Sequence, residues 1–141
     1  MKDQNCAYCM KGDLLDKFGI HICDLEVAGV YLFKEQSKRG RVIVASKEHV
    51  GEVVELTTED RHKFIDDVSK TASVLHTLFQ PDKINYGSYG DTGGHLHMHL
   101  VPKYVEGDEW GSVFSMNPDK TYLTADEYEA LSLQIKTALL K

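Results

Sequence analysis

The sequence predicts one domain of mixed strands and helices, and three observations predict it. The chain has 141 residues, one domain's worth and enough to bury a substantial core without staples. Short runs with strand character occur at 19–27, 29–33, 41–45, 83–87 and 94–102, bounded by glycine, proline and polar turns. Two longer stretches, one opening at Thr57 and one at Thr124, space their apolar residues three and four apart, as helices do.

The elements follow in order. A short helix is expected from Met10 to Lys17, with Leu14, Leu15 and Phe18 inward. Two strands come next, broken at Ala28-Gly29, with His21 read as an exposed strand residue and Cys23 as an ordinary one. The segment 36–40 is a polar turn, and Val42-Ile43-Val44 centres the next strand. Thr57 and Thr58 open a long helix with Glu59 and Asp60 in its first turn, where acidic groups complement the free N–H groups. Phe64, Ile65, Val68, Ala72, Leu75 and Phe79 form its apolar stripe, while His62 and His76 read as surface residues; Pro81-Asp82 stops it. After strand 83–87, the glycine-rich segment 88–94 turns the chain back into 94–102, making these two strands antiparallel neighbours. An aromatic tail with Trp110 and Phe114 packs over core or site rim. The residues Thr124-Ala125-Asp126-Glu127 then form a capping box before a last helix with Tyr128, Leu131, Ile135 and Leu139 on one stripe.

Composition excludes several functions. Hydrophobic residues at 42% and charged residues at 27% are an ordinary globular balance. A net charge of −6 argues against an open nucleic-acid-binding surface, though not against one phosphate-bearing small molecule. No apolar run approaches a membrane span, and residues 1–5 have no apolar signal core behind them, so a cytoplasmic location is expected. Three cysteines form an odd set, and disulfides are rare in that compartment.

The chain's chemistry concentrates in Gly93-Gly94-His95-Leu96-His97-Met98-His99-Leu100-Val101-Pro102. In a strand, His95, His97 and His99 share one face and Leu96, Met98 and Leu100 the other. The remaining four histidines are scattered. One metal held by all three is geometrically poor: His95 and His99 lie about 14 Å apart along a straight strand, whereas zinc ligands sit about 2 Å from the ion. A divided arrangement fits better, with one histidine on a metal and the others facing a substrate. A neutral imidazole is a competent nucleophile and proton carrier near pH 7. A merely solvated strand face usually selects threonine, lysine or glutamate instead. The preceding glycine-rich turn can present backbone N–H groups to an anion.

Cys6-Ala7-Tyr8-Cys9 is a C-x-x-C knuckle. A redox pair of this spacing usually follows a strand and opens a helix, and the few residues upstream are too short for that strand. Zinc is therefore the better reading. Two more ligands are needed, and histidines must supply them, His49 being a candidate.

The row His95 to Val101 resembles the signature of the histidine triad superfamily, and the similarity extends further. Residues 40–44 with Lys47 and His49 resemble the family's central strand and its lysine-x-histidine ending. Asn85 and Gly87 match the strand before the triad, and Pro102-Lys103-Tyr104 with Trp110-Gly111 resembles a zinc-bearing bacterial-type branch. The resemblance implies one HIT-like α+β domain over 1–141. It would hold the knuckle near 6–9, the triad strand 94–102, and the aromatic tail and helix 107–141. An antiparallel sheet of about five strands would carry one long and one C-terminal helix, usually in a homodimer. It implies structural zinc on Cys6, Cys9, His49 and His95. It also implies His97 as nucleophile on the α-phosphorus of a nucleoside phosphate or phosphoramidate, with His99 bonding a phosphate oxygen or leaving group. Asn85, Thr92, Gly93 and Gly94 would lie near the phosphate, and Glu35 or Gln36 would bind the ribose. The small-molecule nucleotide would be the partner, without nucleic acid or membrane. Members that cleave dinucleoside polyphosphates often carry glutamine four residues before the first histidine, where this chain has Asp91. Two other functions fit the same residues: a zinc-bearing nucleotide-binding module with little turnover, and a metal-dependent hydrolase.

Overall fold

The computed structural model describes residues 3–141. Two short helices, α1 (Ala7–Met10) and α2 (Gly12–Asp16), precede the strands β1 (Gly19–Asp24), β2 (Ala28–Phe33) and β3 (Val42–Ser46). A single 3-10 turn, Val53–Glu55, leads into the long helix α3 (Thr58–Phe79). Then come β4 (Lys83–Gly87), β5 (His97–Lys103) and the last helix α4 (Ala125–Leu139). The sheet order is β1-β2-β3-β5-β4, with every neighbouring pair antiparallel. This is the α+β fold that the sequence predicts.

The sheet is covered unequally. On one face Val30, Leu32, Val42, Val44 and Leu100 pack against Phe64, Val68, Ala72 and Leu75 of α3 and Leu131, Ile135 and Leu139 of α4. Most of each predicted stripe is buried, but Ile65 is 48% exposed, and Asp67 and Thr71 take buried places on α3 instead. Thr57 caps α3 by accepting from the Asp60 N–H, and Thr124 and Glu127 form the predicted capping box on α4. Asp67, buried in the α3 stripe, accepts from the Val27 and Ala28 N–H groups at 2.8 and 3.0 Å. It thereby satisfies donors that would otherwise be stranded at a strand start. The opposite face holds a smaller cluster of Leu15, Tyr31, Phe33, Ile43 and Ala45, and the three histidines share it.

Three boundaries differ from expectation. The predicted first helix is two, because Lys11 (φ 55°) and Gly12 (φ 56°) break it; a glycine takes that conformation without the Cβ clash. The first strand stops at Asp24, and Leu25 N–H donates back to the Ala28 carbonyl at 2.7 Å, so the turn falls before Ala28. Regular pairing of the triad strand covers His97–Lys103. Leu96 still bonds the Val50 carbonyl and the Ser46 N–H across the gap, so His95 keeps its place at the strand entry.

The segment between β5 and α4 has no regular structure but is bound at several points to the β2–β3 connection. The Gln36 N–H donates to the Thr121 carbonyl at 2.9 Å, and the Glu35 carboxylate accepts from the Lys120 and Thr121 N–H groups at 2.9 and 2.8 Å. This docking brings Phe114 over the triad face, where it is buried. Trp110 remains 44% exposed.

Candidate active site and metal centre

The β3–β5 register sets the site: Ile43 pairs with His99 and Ala45 with His97, so the triad follows the middle of the sheet. Leu96 and Leu100 point into the helix-side core and Met98 packs against it, which leaves the histidines on the other face. All three are buried. They line a cavity of about 810 Å³, a size that holds one small molecule. Tyr8, Phe18, Phe33, Ile43 and Phe114 give it apolar walls, and Asp3, Asn5, Asp91, Thr92 and Asn117 lie around it.

The three rings have different hydrogen-bond partners. His97 Nδ1 lies 2.7 Å from the His95 carbonyl, an acceptor only, so Nδ1 carries the proton and Nε2 is left with its lone pair. Burial holds its pKa below the ordinary histidine value, against the pull of that backbone bond; the ring is neutral at pH 7. Tyr8 of α1 lies over this ring, centroids 5.2 Å apart and planes 31° apart, and over His95 at 5.3 Å. His99 accepts at Nδ1 from the Arg41 guanidinium at 3.1 Å. Burial first, then the Arg41 charge and His97, push its pKa down to about 3.

His95 turns Nε2 to the Ser46 carbonyl at 2.5 Å. Its Nδ1 faces Cys6 Sγ at 3.3 Å, Cys9 Sγ at 3.6 Å and His49 Nδ1 at 3.0 Å; Cys9 Sγ and His49 Nδ1 are 3.1 Å apart. These four donor atoms all lie within 4.8 Å of one another. A tetrahedron with zinc–ligand bonds of about 2.0–2.3 Å has edges of roughly 3.3–3.8 Å, so a small contraction or expansion fits the ion. The His95 bond to Ser46 is the outer contact that orients a ligating imidazole. The donor set and spacing thus fit zinc, and the knuckle and the distant histidine meet as the sequence predicts.

Thr92, Gly93 and Gly94 border the cavity. Among the described residues their N–H groups have no protein acceptor. An added Cβ at Gly93 would meet only His97 Cε1, at 3.6 Å, an ordinary van der Waals contact.

Three expected residues are not in this cavity. Asn85 pairs with Val101, about two residues and hence about 7 Å beyond the Gly87–His99 pair. It lines a neighbouring groove with Tyr86, Lys103 and Trp110, sharing only Tyr89, Val113 and Phe114 with the triad cavity. Glu35 turns inward and accepts from Ser37, Lys120 and Thr121. Burial alone would raise its pKa, but these bonds lower it. The Gln36 side chain donates to the Phe33 and Arg41 carbonyls and accepts from the Gly40 N–H. Their hydrogen bonds run within the chain, and neither lines the triad cavity. On that wall of the cavity stands Phe33 instead.

Sequence reasoning missed Arg41, Tyr8 and Phe33 as site residues. Arg41 carried a weak signal: a charge set directly before the apolar run Val42-Ile43-Val44 of a central strand. Tyr8 lies between the two knuckle cysteines, so it had to follow them to the site.

The site is thus a cavity laid along a histidine-bearing strand, with a Cys/His cluster at one end. Residues 29–106 match the HIT domain family, and the chain belongs to it. The Hit protein of Bacillus subtilis is 30% identical over 138 residues, spanning 93% of this chain and 88% of that one. A histidine triad protein from Marinobacter aquaeolei superposes with a TM-score of 0.83 at 17% identity, covering 93% and 96% of the two chains. A zinc-bound histidine triad family protein from Mycobacterium smegmatis does so with a TM-score of 0.62 at 21% identity, covering 86% and 84%. Among the described residues, no helix is long and apolar enough to cross a membrane.

Proposed function

We propose that this chain is a nucleotide hydrolase or nucleotidyl transferase acting at the α-phosphorus of a nucleoside phosphate or phosphoramidate. The observation that carries the reading is the protonation pattern of His97, whose Nδ1–H is committed to the His95 carbonyl while Nε2 is free at the cavity. In the first step the Nε2 lone pair forms a bond to phosphorus and the bond to the leaving group breaks. In the second, a water oxygen or acceptor bonds to phosphorus, the N–P bond breaks, and the ring is restored. Splitting one displacement into two lowers each barrier. The N–H groups of Gly93 and Gly94 suit the phosphoryl oxygens, where fixed donors stabilise developing charge. The apolar walls suit a base or other flat group.

Zinc on Cys6, Cys9, His49 and His95 would be structural, because four protein ligands leave no position for a reacting water. It would fasten α1, and with it Tyr8, over the nucleophilic ring. The family resemblance supports a homodimer, and the nucleotide is the expected partner in place of nucleic acid or membrane.

A pre-steady-state assay with a nucleoside 5′-phosphoramidate tests the reading. The wild-type chain should release one equivalent of leaving group in a burst, and His97→Ala should release none. A wild-type chain that binds the nucleotide without turnover would leave a binding module, and full loss of turnover on chelation of an intact fold would indicate a metal-dependent hydrolase.

A further inference from the structure

Arg41 is 1% exposed, yet among the described residues no carboxylate pairs with it. Its guanidinium lies 4.0 Å from the Phe33 ring centroid on β2 and 5.0 Å from that of Phe114 on the tail, an arrangement that holds a cation by attraction to the ring faces. Within this aromatic clamp, Nη1 donates to the Ser115 carbonyl at 3.0 Å and Nη2 to the Met116 carbonyl at 3.0 Å. Nη2 also donates to His99 Nδ1 at 3.1 Å. Nε is buried without a partner. An isolated buried charge is costly, so so many fixed contacts converging on it call for an explanation beyond packing.

We propose that Arg41 is the positioning residue of the site, locking His99 as a neutral imidazole whose Nδ1 only accepts and whose Nε2–H is offered to the substrate. The chemistry is one-directional. Arginine has donors and no acceptor, so the nitrogen it meets must be unprotonated and the single proton must sit on Nε2. His99 lines the cavity, and Nε2 has no bond to any described residue. The position next to the nucleophile is therefore a donor to a phosphoryl or leaving-group oxygen. With its Nε2 protonated, it does not compete with His97 as a nucleophile.

The surroundings of His99 reinforce this. Its neighbours are His97 on the same strand at 5.4 Å, Phe33 from β2 at 5.6 Å and Phe114 from the tail at 6.1 Å, with Arg41 from the start of β3. None of these attracts a second proton. Two carboxylates act on Arg41 from a distance, Glu35 and Glu109; the first is bonded to Ser37, Lys120 and Thr121 and the second to Lys38. The Arg41 charge thus remains without a direct counter-ion behind His99, and an anionic phosphate in the cavity supplies one. This inference rests on the reading that the cavity takes a phosphate beside His97.

The test is site-resolved ¹H–¹⁵N correlation of the histidine rings in the zinc-loaded protein, from about pH 8 to about pH 5. His99 Nδ1 should show the shift of an unprotonated nitrogen and Nε2 that of a protonated one, both unchanged across the range. In Arg41→Met the ring should lose this fixed tautomer, and its pKa should rise while burial still holds it below the ordinary value. The kcat/KM for a nucleoside phosphoramidate should fall about 10²-fold. Arg41→Lys, which keeps N–H donors and brings no acceptor, should restore the tautomer. A wild-type ring protonated on Nδ1, or one titrating near pH 6–7, overturns the proposal even if neither variant folds. An adduct on His97 with the wrong His99 tautomer would sink Arg41's role alone, whereas the expected tautomer with no adduct would sink the proposed function and leave Arg41's role standing.

Discussion

The two ends of the histidine row have the same spacing in the sequence and opposite surroundings in the fold. At the His95 end, two thiols and a second imidazole face the ring, and Ser46 holds its far nitrogen. At the His99 end, a buried cation and two aromatic rings do so, and among the described residues no Cys/His/carboxylate cluster gathers there. His97, between them, is bound only through Nδ1. Chemically identical side chains thus take different roles through what the topology sets against them: α1 at one end, the β2–β3 connection and the docked tail at the other.

Removing the middle ring should have the largest effect. His97→Ala should lower turnover of a nucleoside phosphoramidate by at least about 10³-fold, because the covalent route disappears. Nucleotide affinity by calorimetry should change little. A variant with near wild-type turnover would make the two ends equivalent to the middle.

Stripping the metal end comes next. Chelation should lower the thermal midpoint, as ligation energy is folding energy in such sites, and reduce turnover roughly 10-fold through the loosened orientation of His97. Scanning calorimetry with parallel assays checks both.

Acid should act on the other end. The folded pKa of His99 lies below its unfolded value of about 6.5, so the neutral ring favours the fold fully above that value. The contribution declines as pH falls from there toward about 3. Urea midpoints should drop between about pH 7 and pH 4.5, and His99→Gln should flatten that part of the curve.

The smallest effect is expected at the entrance. Gly93→Ala should be nearly silent, since its Cβ would stand 3.6 Å from His97 Cε1. Gly93→Phe should raise KM several-fold by overhanging the ring, with little change in stability for an exposed position.

Regular features were legible in the sequence. Helical spacing in α3 and α4, the caps at Thr57 and Thr124, and the period-two row of histidines are local patterns, and the structure realises them. The knuckle and the need for further ligands were readable from the residues, and the family resemblance completed the set with His49 and His95, whose donor atoms the fold brings together with the two thiols. The residues that border the cavity were harder to place, because they depend on what lies opposite in space. Glu35 and Gln36 read as free polar groups until the tail docks and uses them, and Asn85 reads as near the triad until the register carries it past. Arg41 stood in plain view, but its partners Phe33, His99 and Phe114 come from three separate parts of the chain.

The most direct test of this division of labour is to quench the reaction of wild-type protein with a nucleoside phosphoramidate in mild base and map the adduct by fragmentation of the triad peptide. The account predicts one nucleotidyl group, on His97, and none in His97→Ala. A nucleotidyl group on His99, or one that persists in the variant, would contradict it.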